Sequence, residues 1–314
     1  MSDNAQIPSE LIARTMEFSR AGTLAETPLD ALKIIRSDVL SGPQHSIYEP
    51  SVCFIVQGAK DVTVGQKVYQ CEPGLFFASS ANLPVVGRVT RATSAKPYLA
   101  LILRLDSAII YEIASATDFR KPDDLGSAGV FLDDAKNAMT DAYLRLMRSL
   151  GRQSDIEILA PLILKEITYY LMQSRFSGVL YDLAVQGSGV LRISRSIEKL
   201  RRDFSESVRV ESLARIADMS PSAFYQHFKQ LTGLSPIQFQ KQLRLQEGRK
   251  LLATETEDIT SVAYSVGYES PSQFSRDYSR LFGLAPSRDI KNLRQQLESA
   301  AQDLSEPIES LAIQ

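Results

Sequence analysis

Residues 220–236 read SPSAFYQHFKQLTGLSP, and residues 270–286 read SPSQFSRDYSRLFGLAP. Eight of the seventeen positions are identical, and Phe228 is matched by Tyr278. Each copy has the marks of one helix with defined ends. Ser220 and Ser270 stand at the N-cap, where a hydroxyl accepts from first-turn amides. Pro221 and Pro271 follow at the first helical position, where a missing N–H is no loss. Gly233 and Gly283 stand where a helix stops in the left-handed conformation. Phe224, Phe228 and Leu231 fall on one face of the first helix, and Phe274, Tyr278 and Leu281 on one face of the second.

A short helical pattern precedes each copy. Leu213, Ala214 and Ala217 give the first its buried side, and Asp218-Met219 make the turn. Val262, Ala263 and Val266 do the same in the second, with Gly267-Tyr268-Glu269 as a turn one residue longer. Short helix, tight turn, longer helix is the helix-turn-helix arrangement. At ~100° per residue, Ser222, Gln226 and Lys229 point away from the aromatic face, with Tyr225 at its flank. The matching residues are Ser272, Arg276 and Ser279, flanked by Gln273, Ser275 and Arg280, with Asp277 the one acid on that helix. Small side chains let a helix backbone approach a DNA major groove, Arg pairs with guanine and Gln with adenine. Between the copies, 236–253 read PIQFQKQLRLQEGRKLLA, a helical pattern of ~27 Å. Such a rod can hold two reading heads about one DNA turn, ~34 Å, apart.

Charge is segregated in the same way. The whole chain of 314 residues has a net charge of −2, but residues 190–294 hold 17 basic and 12 acidic side chains. Residues 1–189 hold 18 basic and 21 acidic ones. A basic block within an acidic chain is the footprint of a module that meets a polyanion. The acidic tail, 291–314, carries Leu297, Ala300, Ala301 and Leu304 at spacings that allow a short helix. QGSG at 186–189 marks the linker between the two regimes.

Ahead of that linker the pattern is different. SVCFIVQG, DVTV, KVYQC, GLFFAS, PVVGRVT and YLALILRLD, between 51 and 106, are short β-rich runs punctuated by Gly and Pro, the signature of a sandwich or small barrel. Leu99, Leu101, Leu103 and Leu105 alternate as on a half-buried strand. Helical periods follow at 107–117, at Leu132–Leu150 and at 155–174, the last capped by Asp155. This third helix is apolar around most of its girth and calls for a partner on more than one side, which suits a homodimer. No window is long and apolar enough for a membrane span, and the N-terminus lacks a secretory pattern, so the expected setting is the cytoplasm, with no membrane partner.

With both copies and the rod in view, residues 190–290 resemble the DNA-binding domain of AraC-type transcription regulators. LARIADMSPSAFYQHFKQLTGLSP, QKQLRLQEGRKLL and ITSVAYSVGYESPSQFSRDYSRLFGLAPS carry the likeness. YEPSVCFIVQGAKDVTVGQKVYQCEPG, LPVVGRVT, PYLALILRLD and ILAPLILKEITYYLM resemble the N-terminal domain of one AraC subgroup. The resemblance implies an α+β protein. Residues 1–185 would hold a cupin-like β-barrel (about 26–106) with accessory helices (107–180), and 190–290 an all-α domain with two helix-turn-helix motifs. It also implies transcription regulation, often activation, under control of a small-molecule effector in the barrel, with double-stranded DNA, RNA polymerase and a second copy of the chain as partners. Carried over by position, the base-reading residues are Ser222, Tyr225 and Gln226 in the first motif and Ser272, Gln273 and Arg276 in the second. Lys229 and Arg280 join them from the wheel alone. Ser222 and Tyr225 are not bidentate base readers, so the first motif reads partly by shape. The effector-binding residues are unknown at this level, because a one-residue register slip inverts every strand.

An enzyme is the rival reading. A metal site needs clustered His and acidic ligands, and the chain has two histidines, His45 and His227, in different regions. No Gly-rich phosphate loop or G-x-S-x-G is present. No metal, cofactor or catalytic residue is expected. Cys53, in the run VCFIV, reads as a buried residue, and Cys71, just before the turn Glu72-Pro73-Gly74, as the more exposed one. The two thiols supply an alternative regulator, one that senses oxidants or electrophiles, although no cationic neighbour is apparent to activate either.

Overall fold

The computed structural model describes residues 7–22, 24–117, 119, 129–185, 188–254 and 258–293. Gln186-Gly187 of the expected linker and the tail from 294 onward, including Leu297, Ala300, Ala301 and Leu304, lie outside the described residues. After helix α1 (Ser9–Glu17) come strands β1 (Leu24–Glu26), β2 (Leu32–Ser37) and β3 (Gln44–Tyr48). Then follow β4 (Ser51–Gln57), β5 (Ala59–Val64), β6 (Lys67–Cys71), β7 (Leu75–Ser79), β8 (Leu83–Arg91) and β9 (Tyr98–Arg104). The six β-rich runs read from the sequence are β4 to β9. Helix α2 (Ser107–Ala116) precedes β10 (Val130–Asp134), followed by α3 (Asn137–Ser149), α4 (Gln153–Met172) and α5 (Ser177–Ala184).

The strands form two antiparallel sheets. One has the order β1-β2-β9-β4-β7-β10 and the other β3-β8-β5-β6. The first is buried on both faces in its centre. Leu32, Ile34, Val52, Phe54, Phe76, Leu99, Leu101 and Leu103 share one core with residues of α1 to α5, such as Leu11, Ile110, Tyr143, Ile163 and Leu180. The Tyr143 ring stacks on Phe54 at 4.6 Å. Side chains of the opposite phase face the second sheet: Phe77 meets the Tyr48 ring of β3 at 6.0 Å and the Tyr69 ring of β6 at 5.5 Å. This is the cupin-like barrel, and it corrects one expectation. Strand β9 is not half-buried, because Tyr98 and Ala100, between the leucines, are buried as well.

The helices are also corrected in detail. Leu132 belongs to β10, which pairs with β7, so the helix expected from Leu132 begins at Asn137. Asp155 is not the cap of α4; Arg152 holds that position, and Asp155 lies in the first turn, where its charge still suits the helix dipole. Arg145 joins α3 to α4 by donating from Nη2 to both Glu166 oxygens, at 2.7 and 2.8 Å. The side of α4 bearing Ala160, Ile163, Ile167 and Leu171 is buried, whereas Ile158 and Leu162 are 67% and 63% exposed.

The rest of the described chain is helical: α6 (Gly189–Arg202), α7 (Val210–Ile216), α8 (Pro221–Thr232), α9 (Pro236–Thr254), α10 (Ile259–Ser265) and α11 (Pro271–Phe282). The chain divides into two compact units. One contains the barrel and its helices, α6 as far as Lys199, and Arg209–Phe239; the other contains Leu200–Val208 and the chain from Gln240 onward. The second unit is built around Leu245, Leu252, Val262, Ala263, Val266, Phe274, Tyr278 and Ile290. Arg244 holds its loops together, donating from Nε to Phe204 O at 2.7 Å and from Nη1 to Gly267 O at 2.7 Å. Arg249 donates to both carboxylate oxygens of Asp289, at 2.7 and 3.0 Å, and the Tyr278 hydroxyl donates to the same carboxylate at 2.8 Å.

Gly267 and Gly283 both adopt positive φ, 88° and 78°, but their surroundings differ. A Cβ at Gly267 would lie 2.1 Å from Ser205 O, whereas one at Gly283 meets nothing within 4 Å. Gly283→Ala therefore bears only backbone strain, about 1 kcal/mol, and Gly267→Ala adds a backbone collision to strain of the same kind. In urea unfolding of the full chain, Gly267→Ala is expected to be the more destabilising of the two, by at least about 1 kcal/mol.

Candidate functional site

The first helix-turn-helix is α7, the turn 217–220 and α8. Asp218 takes a left-handed φ of 51°, which a short polar side chain tolerates better than most. The turn is fixed from α6. Arg192 Nη1 donates to Asp218 O at 3.1 Å, and Ser196 Oγ to Leu213 O at 2.9 Å. Ser220 is the N-cap of α8 and accepts from the Ala223 N–H at 3.3 Å, and Gly233 ends the helix at φ 73°. Phe224, Phe228 and Leu231 are buried, with Phe228 edge-on to Phe239 at 5.4 Å. Ser222, Tyr225, Gln226 and Lys229 are exposed.

This motif is seated on the barrel within the same unit. The Gly129 N–H, just ahead of β10, donates to Leu231 O at 3.0 Å. At the β5–β6 turn, a Cβ placed on Gly65 would stand only 3.1 Å from Gly233 O, so the two backbones touch with no side chain between them.

The second motif is α10, the turn at Gly267 and α11. Asp258 caps α10, accepting from the Thr260 and Ser261 amides at 2.7 and 3.1 Å. Hydrogen bonds from the Ser261 hydroxyl and these amides hold its carboxyl below the usual range. Ser270 occupies the N-cap of α11, but its side chain makes no capping bond, contrary to the sequence reading. Ser272, Gln273, Arg276 and Arg280 are exposed. Leu281, expected to be buried, is only partly so. Asp277 is placed differently from its reading as an acid on the groove face. It is buried, with Oδ2 3.0 Å from Lys241 Nζ of α9. The exposed face of α11 therefore presents two guanidinium groups, an amide and hydroxyls, with Arg280 Nη1 3.6 Å from Asp277 Oδ1. Asp277 directly precedes the buried Tyr278 and lies three residues after Phe274, a spacing that could have shown its inward phase.

The two cysteines exchange their expected roles. Cys71 is 2% exposed and Cys53 is partly exposed. Strand alternation decides this, because β6 pairs Cys71 with Lys60 and turns both inward. A cation that sequence reading missed is also present: Lys60 of β5 lies close to both sulfurs. Burial outweighs it, pushing the Cys53 thiol up to about 11 and Cys71 higher still. Burial likewise raises the phenols of Tyr48 and Tyr98, the latter in a hydrogen bond with Cys53. Lys60 was legible in principle: in the alternation over 59–64 it shares the phase of Val62 and Val64.

A barrel followed by two helix-turn-helix motifs, each with an exposed polar second helix, defines a DNA-binding regulator. Residues 28–179 match the model for the AraC-type transcriptional regulator N-terminus, and 213–292 match a helix-turn-helix domain. The chain is 35% identical over 104 residues to the RCS-specific HTH-type transcriptional activator RclR of Escherichia coli, a match covering 33% of this chain and 37% of RclR. It is 34% identical over 106 residues to the transcriptional activator RhaS of Citrobacter koseri, covering 34% of this chain and 38% of RhaS. These matches thus span little more than a third of either relative. An apo variant of ToxT from Vibrio cholerae has a similar fold, with a TM-score of 0.52 at 10% identity over 84% of this chain and 98% of ToxT. The chain belongs to the AraC family of transcriptional regulators. No helix among the described residues is long and apolar enough to cross a membrane.

Thiols held protonated by burial react slowly at neutral pH. Iodoacetamide at pH 7.5 is expected to leave both cysteines of the native chain unmodified for a time that alkylates them fully in urea. Peptide mass spectrometry reads this, and Cys53 labelling is expected to rise as the pH approaches about 11.

Proposed function

We propose that this protein is a sequence-specific transcriptional activator that binds double-stranded DNA through both helix-turn-helix motifs and is controlled by a small-molecule effector held in the barrel. The observation that carries the DNA reading is the pair of exposed polar faces, Ser222/Tyr225/Gln226/Lys229 on α8 and Ser272/Gln273/Arg276/Arg280 on α11. Gln226 and Arg276 are the residues whose chemistry suits bidentate base contacts, to adenine and guanine. Lys229 and Arg280 suit phosphate contacts, which fix register without reading sequence. The raised pKa of both thiols favours ligand control over thiol chemistry as the regulatory input. RNA polymerase is the partner an activator implies.

We also infer a homodimer formed through α4. The sequence called for a partner on more than one side of this helix, and its exposed side carries Ile158, Leu159, Leu162 and Tyr169. Exposed apolar residues of this kind, with Lys165 between Leu162 and Tyr169, suit a helix-to-helix contact with a second copy.

Site selection on random duplexes followed by affinity measurement tests the DNA reading. Arg276→Ala is expected to cost ~1–3 kcal/mol and to relax preference at one base position, whereas Lys229→Ala weakens all sequences alike and reduces the salt slope by about one. Uniform weakening by Arg276→Ala would make that residue a phosphate contact only. For the dimer, the Ile158→Glu/Leu162→Glu double variant is expected to sediment as a monomer at concentrations where the wild type is a dimer. A wild-type monomer, or an unchanged dimer in the variant, would remove α4 from that role.

A further inference from the structure

Between the two sheets of the barrel lies a charge with no opposite. Lys60 is 8% exposed, and its inward phase on β5 places it between Cys71 of β6 and Val89 of β8. Its Nζ donates to the Tyr48 hydroxyl at 3.1 Å. The Lys60 side chain lies across Gly87 of β8, where a Cβ would stand 2.4 Å from Cε. Among the described residues no carboxylate lies within 4 Å of this ammonium; the neighbouring Asp61 points to the other face and pairs with Arg88 at 3.1 Å. The same interior holds Phe77, in ring contact with Tyr48 and Tyr69, and the two thiols, with Tyr98 in a hydrogen bond with Cys53. Burial keeps the Tyr48 and Tyr98 phenols and both thiols neutral. Burial also works against the charge on Lys60, and its hydrogen bond to the Tyr48 hydroxyl works for it.

Burying an ammonium without a counter-charge is costly, and one phenol satisfies one of its three donors. A carboxylate supplies the missing charge and two further acceptor oxygens. The walls select the rest of the ligand: aromatic rings and thiols suit a flat or aliphatic apolar body. A phosphate would bring surplus charge, and a neutral polyol would leave the ammonium uncompensated. Ile35, Cys53 and Ile102, on the barrel-facing side of the first sheet, are partly exposed. A cavity of about 210 Å³ lies on the helix side of that sheet, lined by Arg104, Asp106 and Thr168 among others.

The geometry points to Lys60 and Tyr48 as the anchor for the carboxylate of a small apolar or aromatic monocarboxylic acid inside the barrel. This inference rests on the effector-controlled reading above and names the chemical class of the effector. Lys60 stands on the hairpin whose tip, Gly65, touches Gly233 of the first motif. A ligand there occupies an element that reaches from the barrel interior to the DNA-reading helix of the same unit.

The test uses the full chain with benzoate, phenylacetate, hexanoate and decanoate as probes. Benzamide, benzyl alcohol, hexanamide and inorganic phosphate are the controls. Thermal shift and calorimetry are expected to show stabilisation by at least one acid and by none of the controls, with the dissociation constant weakened at least about tenfold in Lys60→Met. Lys60→Gln provides the same comparison if the methionine variant does not fold. Acids that bind both variants like the wild type, controls that bind as tightly as the acids, or a wild type unmoved by every acid would each overturn the site. Failure of the wild type to bind any DNA sequence selectively would instead strike the regulator reading, and is scored separately from the acid measurements.

Discussion

The front half of the protein depends on one sheet being buried on both sides. Strands β9, β4 and β7 place one set of side chains against helices and the alternate set against a second sheet. A slip of one residue would exchange the two sets. Leu99, Leu101 and Leu103 would then enter the barrel, and Cys53, Phe77 and Tyr98 would meet the helices. Apolar side chains alone on the helix side, and thiols and a lysine among the aromatics on the barrel side, are therefore a register lock as well as a chemical division. The helix side is a packed core. The barrel side carries the polar atoms, and it is where any small ligand would meet functional groups rather than hydrocarbon.

The C-terminal half is held by different means. The helices of its two helix-turn-helix motifs are short, and their ends define them: Ser220 and Asp258 as caps, Gly233 and Gly283 as left-handed stops. Loops that lack regular structure are tied by single side chains with many donors. Arg244 reaches Phe204, Ser205, Glu206 and Gly267 carbonyls, and Arg249 holds Asp289. Arginine suits this work because its fork of donors can satisfy several buried acceptors from one position.

What could be read from the sequence follows from how local each signal is. The helix-turn-helix motifs were legible because caps, stops and the 3.6-residue period lie within about twenty residues. The six strands from β4 to β9 were legible as β-rich runs. Strands β1 to β3 and β10 were not, because segments such as LAE, QHSIY and VFLDD have no apolar alternation of their own and exist through pairing with other strands. The same cause reversed the two cysteines. Position next to a turn suggested exposure for Cys71, but cross-strand pairing with Lys60 set its direction. Asp277 was misplaced for a simpler reason: its polarity was given more weight than its phase on the helix. One of its partners, Lys241, lies in another helix, so that ion pair is a tertiary fact.

The contact between Gly65 and Gly233 has a mechanical consequence. Two side chains in contact can absorb a small displacement by changing rotamer. Two bare backbones have no such slack. A small movement at the hairpin tip must be taken up by the α8 terminus itself or by breaking the Gly129–Leu231 hydrogen bond beside it. The joint between barrel and reading helix thus behaves as a stiff coupling with a single weak pin.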